Sequence, residues 1–261
     1  MGLFNGAKAQ ISGRKAIRTH IAANQASNEG RIAEAKEKYA QARKYYEEAL
    51  AEGTEKATVH QGFAILLMRM GEFDRAMSLM EKLSRSKGLK DEDWFDLRLN
   101  YAVCLWKKGR LDDAIATGYR AAQIKKCAAI YGTLGMFLVE KADQTGDFEA
   151  AKTFNGEAMD YDDEDAGVLD NMGEMLEAMS RHETDPEQAR ACREEAKAYY
   201  VKAHETKPRQ ITTIYSLARM YHEDGQDSEA RKVLSSAKDL YYSAVCSVSE
   251  DMMENLKKEV G

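Results

Sequence analysis

Along most of this chain, apolar and small residues recur at spacings of three and four, the pattern of helices that bury one face. Four stretches show it most plainly: ATVHQGFAILLMRM from Ala57, FDLRLNYAVCLWKK from Phe95, AAIYGTLGMFLVEKADQT from Ala128 and ITTIYSLARMYHED from Ile211. Their inward positions are Phe63, Ala64 and Leu67; Tyr101, Ala102 and Leu105; Leu134, Gly135 and Leu138; Leu217, Ala218 and Tyr221. Each stretch leads into a glycine (Gly71, Gly109, Gly146 or Gly225), and five residues later comes an alanine (Ala76, Ala114, Ala151 or Ala230). A glycine there suits a left-handed turn that ends one helix, and a small residue early in the next helix lets the two pack closely. The chain is thus built from repeated helix pairs. One such pair cannot cover its own apolar face, so the units must stack.

Six units are expected, over residues 16–56, 57–94, 95–127, 128–165, 166–210 and 211–242. The first turns at ASNEGRIAEA and carries a stripe of Ala35, Tyr39, Ala42, Tyr46 and Ala49 on its second helix. The fifth has LDNMGEML as its first-helix core and an inserted SRHETDPEQAR, where Asp185 can cap and Pro186 can open the second helix. After the sixth, residues 243–261 predict a capping helix, with Ser247 and Glu250 at capping-box spacing and Met252, Met253 and Leu256 on one face. Residues 1–15 are read as a basic, disordered tail.

IYGTLGMFL (Ile130 to Leu138) and AKAYYVKAHETKP (Ala196 to Pro208), within this Gly–Ala frame, resemble the opening and closing motifs of the tetratricopeptide repeat. The resemblance covers roughly residues 16–242. It departs from the family pattern where Gly118 and Asn155 replace preferred aromatics, and no unit has the motif tryptophan. It implies an all-α, right-handed solenoid whose first helices line a concave face that binds peptides. It also implies a non-catalytic interaction scaffold. The carboxylate clamp of the chaperone-binding members is not matched: Asn24 is followed in later units by Gly62 and Asp96.

Helical spacing places five sets of residues beside the first-helix core stripes. They are Gln61, Ile65 and Met68; Leu99, Val103 and Trp106; Gly132, Met136 and Val139; Asp170, Glu174 and Glu177; and Tyr215, Arg219 and His222. The first three sets are apolar and the fourth is acidic, which suits a protein segment with apolar anchors and a basic end. Burial of the same side chains as ordinary core, or against a second copy of the chain, is the alternative. A membrane-proximal module using the basic N-terminal residues is a further one.

Composition and charge narrow the chemistry. With only two prolines and a net charge of −6, the chain is composed for helix and lacks the cationic stripe that nucleic acid requires. Charge is uneven: residues 140–195 carry 18 acidic and 5 basic side chains, whereas residues 1–28 hold Lys8, Arg14, Lys15 and Arg18 with no acid. Cys104, Cys127, Cys192 and Cys246 form no CxxC pair, so neither zinc nor a disulfide framework is indicated, and a reducing, cytoplasmic setting is expected. The longest uncharged run, Cys127 to Val139, has 13 residues, too few for a membrane span. The start MGLFNG has Gly6 where an N-myristoylation signal wants Ser or Thr.

His20, His60, His182, His204 and His222 are scattered over separate units. DYDDEDAG (Asp160 to Gly167) lacks the glycine and bidentate glutamate of a calcium loop. No nucleophile elbow, Walker loop or dinucleotide fingerprint occurs. Catalytic residues, cofactors and metals are therefore expected to be absent.

Overall fold

The computed structural model describes residues 2–261, with side chains from residue 7 onward. Thirteen α-helices and no strand occur among the described residues. They are α1 (Gly2–Asn28), α2 (Ile32–Ala51), α3 (Ala57–Arg69), α4 (Phe73–Ser84), α5 (Asp91–Lys107), α6 (Leu111–Ala122), α7 (Ala128–Thr145), α8 (Glu149–Tyr161), α9 (Ala166–His182), α10 (Pro186–Thr206), α11 (Ile211–Glu223), α12 (Asp227–Leu234) and α13 (Glu250–Val260). Each helix packs on the next through α12, and first helices also meet across units, α1 on α3, α3 on α5, α5 on α7 and α7 on α9. The result is an all-α solenoid. None of its helices, among the described residues, is long and apolar enough to cross a membrane.

The turns explain the repeat. Gly71, Gly109, Gly146 and Gly225 have φ of 81°, 74°, 75° and 72°, the left-handed region where a Cβ is strained. The alanines that follow, Ala76, Ala114, Ala151 and Ala230, are at most 1% exposed and let the second helix close on the first. In the unit with the insertion, the Asp185 carboxylate accepts from the Glu187 amide at 2.8 Å, and Pro186 is the first residue of α10.

Where family-preferred aromatics are missing, neighbours fill the space. A Cβ at Gly118 would come within 3.0 Å of Leu134 Cδ1, so Leu134 occupies the room. Buried Asn155 donates to the Ala151 carbonyl at 3.0 Å.

Three boundaries differ from the sequence reading. The segment read as a disordered tail belongs to α1, which runs unbroken from Gly2. Ala9, Ser12, Ala16, Ala23 and Ala26 are all buried, and α1 packs on α2. A stripe of Ala and Ser has little hydropathy contrast, so it is hard to see in sequence, yet it permits close helix approach. Helix α5 begins at Asp91, inside the stretch assigned to the preceding unit, because the Asp93 carboxylate accepts from the Lys90 amide at 3.0 Å and satisfies a donor of its first turn. Helix α13 is capped by Ser249, whose Oγ accepts from the Met252 amide at 3.1 Å, and not by Ser247. Its Met253, Leu256 and Val260 are buried beside α11 and α12.

The α1–α2 interface buries a histidine in its core. His20, 6% exposed, sits edge-on to Tyr39 and Tyr46, and its Nδ1 shares a 3.2 Å hydrogen bond with the Tyr46 hydroxyl while Nε2 has no partner. Burial, then the charge of Arg69, lowers its pKa from 6.5 to about 4. Between those values the unfolded chain binds the extra proton, so stability is intact above pH 6.5 and is lost as pH falls toward 4. Thermal unfolding of His20→Leu should show a shallower loss between pH 7 and 4.5 than the unmodified chain, by on the order of 3 kcal/mol. Equal slopes for the two proteins would contradict this assignment.

Candidate functional site

First helices α5, α7, α9 and α11 face one another around a cavity of about 270 Å³. Trp106, Met136, Val139 and Glu140 form one side, and Glu174, Glu177, Arg181, Tyr200 and Arg219 the other. These positions recur at helical spacing: Met136 and Glu140 lie four apart on α7, and Glu174, Glu177 and Arg181 follow a three-then-four step on α9. The Trp106 ring packs against Phe137 at 5.7 Å between centroids, and its Nε1 donates to Glu140 Oε2 at 2.5 Å. Lys107 Nζ sits 4.4 Å from the centroid of the same ring.

The floor is a charge network. Glu177, 5% exposed, accepts from Arg219 Nη2 at 2.5 Å, Arg181 Nη1 at 3.2 Å and the Tyr200 hydroxyl at 3.2 Å. Tyr200 reaches it because α9 has Gly173 opposite; a Cβ there would stand 2.7 Å from the Tyr200 ring. Arg181 also pairs with Asp143 at 2.9 Å and Arg219 with Glu223 at 2.9 Å. Both arginines are therefore already engaged.

Glu174 is the exception. Its carboxyl faces the cavity with no hydrogen bond or ion pair among the described residues. Burial, then the nearby carboxylates Asp170, Glu177 and Glu140, pushes its pKa up to about 8. Asp170 lies deeper, 5% exposed, accepting from the hydroxyls of Thr212 and Thr213 at 2.6 Å each; burial raises its pKa while those bonds oppose the rise. Among the described residues no cluster of three His, Cys, Asp or Glu side chains is arranged to hold a metal.

A family model for the tetratricopeptide repeat matches residues 33–94. The solved human IFIT1 dimer with PPP-AAAA superposes with a TM-score of 0.61 at 16% identity, over 85% of this chain and 49% of that one. The Cut9–Hcn1 hetero-tetramer of APC/C superposes with a TM-score of 0.56 at 15% identity, over 95% of this chain and 46% of that one. Residues 33–94 thus carry the tetratricopeptide repeat, and the chain as a whole shares the fold of these structures. It spans about half the length of those two structures. No curated protein matches it in sequence.

The fold of this repeat protein brings together Trp106, Met136, Val139, Glu174, Glu177 and Arg219 from the sequence-derived set. The other members lie elsewhere. Met68 is buried at 4%, Leu99 and Val103 pack half-buried between units, and Ile65 is exposed away from the cavity. Gln61 donates to the Asp93 carbonyl at 3.3 Å, Tyr215 packs on the C-terminal core, and His222 bonds Asp227 at 2.6 Å.

Of the apolar residues expected to line a groove, Met68, Leu99 and Val103 are thus packed within or between units, as the alternative reading has them. The expected wholly acidic patch is likewise corrected, because Arg181 and Arg219 neutralise Glu177. Glu140 and Arg181 were missed, although the same helical spacing extended by one turn reaches both. Tyr200 and Ser247 come from α10 and from the segment before α13, and no first-helix pattern points to them.

The Glu174 assignment has a sign that can be checked. Between pH 4.5 and about 8 the folded chain holds the extra proton, so this contribution to stability is present at low pH and is lost as pH rises through 8. Glu174→Gln should raise stability at pH 9 by about 1–2 kcal/mol, a value discounted for the solvent in the cavity, and change it little at pH 5. A destabilised variant at pH 9 would mean that Glu174 is paired.

Proposed function

We propose that this protein is a non-catalytic scaffold that binds a protein segment on its inner face and seats one Lys or Arg side chain in the cavity at Glu174. The observation that carries this reading is the unpaired Glu174 carboxyl, set among carboxylates whose nearby arginines are already engaged. A cation entering there would displace the proton from Glu174, gain a charge-assisted hydrogen bond and offset the burial and repulsion that raise the Glu174 pKa. Trp106 and Met136 at the wall give the aliphatic stem of such a side chain an apolar surface to lie against.

The same charges argue against a polyphosphate ligand of the kind present with human IFIT1. Glu140, Asp143 and Glu177 line the cavity, and its two arginines are already paired with carboxylates, so an anion finds no free cation there. Assembly with other proteins, as in the Cut9–Hcn1 hetero-tetramer, is the use of the fold that fits this site. The hydroxyl of the lining that a carboxylate holds, Tyr200 on Glu177, is fully buried, which supports a binding role over a catalytic one.

Selection of a random peptide display library on the immobilised protein should enrich Lys or Arg at one fixed position. A selected peptide should lose about tenfold or more in affinity with Glu174→Gln, corresponding to one charge-assisted bond. It should also weaken with Trp106→Ala at unchanged helical circular dichroism. Enrichment of acidic peptides, or indifference to Glu174→Gln, would refute the reading.

A further inference from the structure

Between the 3-10 turn Ser235–Ala237 and α13, residues 238–249 form an irregular strap that crosses back to the first units. Tyr241 packs on Tyr39 at 5.1 Å between centroids, with the Arg69 guanidinium 5.6 Å from the Tyr241 ring. The Ala244 amide donates to the Arg69 carbonyl at 3.1 Å, and Lys107 Nζ donates to the Cys246 carbonyl at 2.8 Å. Arg209 holds the start of the strap through the Asp239 carbonyl at 2.8 Å. Side chains alternate in allegiance: Tyr241 and Val245 join the N-terminal core, and Leu240, Tyr242 and Cys246 the C-terminal one. Hydrogen bonds to the main chain combined with alternating side-chain contacts are how a protein surface receives a peptide segment.

The strap fits this seat imperfectly. Arg69 Nε, the Tyr242 hydroxyl and Ser243 Oγ are buried with no partner. Asp239 takes φ of 54°, the one non-glycine residue in the left-handed region among those described.

We propose that the surface formed by Tyr39, Arg69 and Lys107 is a peptide-binding surface, and that the strap is its internal competitor. Its outside ligand is a partner segment with the strap's own chemistry, two tyrosines followed by small and aliphatic residues that take the same turn, plus an acceptor for Arg69 Nε. The proposal rests on the scaffold reading but not on the Glu174 cavity. Because α12 and α13 anchor both ends, the strap acts at an effective concentration on the order of millimolar. The apparent affinity of an outside segment is reduced by the fraction of surface that the strap leaves free.

A fluorescein-labelled peptide with the sequence of residues 238–249, carrying Cys246→Ser, is titrated by anisotropy into the whole chain and into Tyr241→Ser/Val245→Ser. The strap variant should keep its helical circular dichroism and bind about tenfold or more tighter than the unmodified chain. Adding Arg69→Ala should remove that gain, whereas adding Glu174→Gln should leave it, which separates failure here from failure of the cavity reading.

Hydrogen exchange of the unmodified chain gives a second measure: the Ala244 amide should exchange well before the amides of α3 and α5. Equal or no binding in both proteins, or a gain that survives Arg69→Ala, would overturn the proposal. So would collapse of the helical signal in the strap variant, an Ala244 amide as protected as the helices, or a strap variant that forms dimers by light scattering.

Discussion

A pair of helices joined by a tight turn has an apolar stripe that it cannot cover, and this structure follows from the need to cover it. Each pair passes the problem to the next, so the interior is three adjoining clusters strung along the solenoid instead of one central core. The pairs approach closely because alanine lies at the contact and glycine makes the turn. The same economy governs α1, whose buried stripe is largely alanine yet packs against the alanine and tyrosine stripe of α2.

An open stack leaves two ends and one hollow face. One end is closed by α13, which buries Met253, Leu256 and Val260 on the last pair. The hollow face is crossed by the strap of residues 238–249, which ties the first three units to the last through backbone carbonyls and aromatic stacking. Arg69 Nε, the Tyr242 hydroxyl and Ser243 Oγ stay unpaired where it lies.

The cavity beside the strap shows how one charge sequence divides into different roles. Glu177 is held by two arginines and a tyrosine, Asp170 by two threonine hydroxyls, and Glu174 by nothing. Three acids on one helix thus hold three different energies. What separates them is the set of donors that α9, α10 and α11 bring opposite each one.

The sequence by itself determined the repeated helix pairs, their glycine turns and alanine contacts, the Asp185–Pro186 start of α10, and the placing of Trp106, Met136, Glu174 and Arg219 on inward faces. These are local facts, since helical periodicity and turn chemistry act over a few residues. Tertiary structure alone decided that α1 is a packed helix, because a stripe of Ala and Ser carries no hydropathy contrast until its partner is in place. It also decided which acids are paired, and that the strap lies against Tyr39, Arg69 and Lys107. Those contacts join residues far apart in the chain, and their geometry depends on how every intervening pair is stacked.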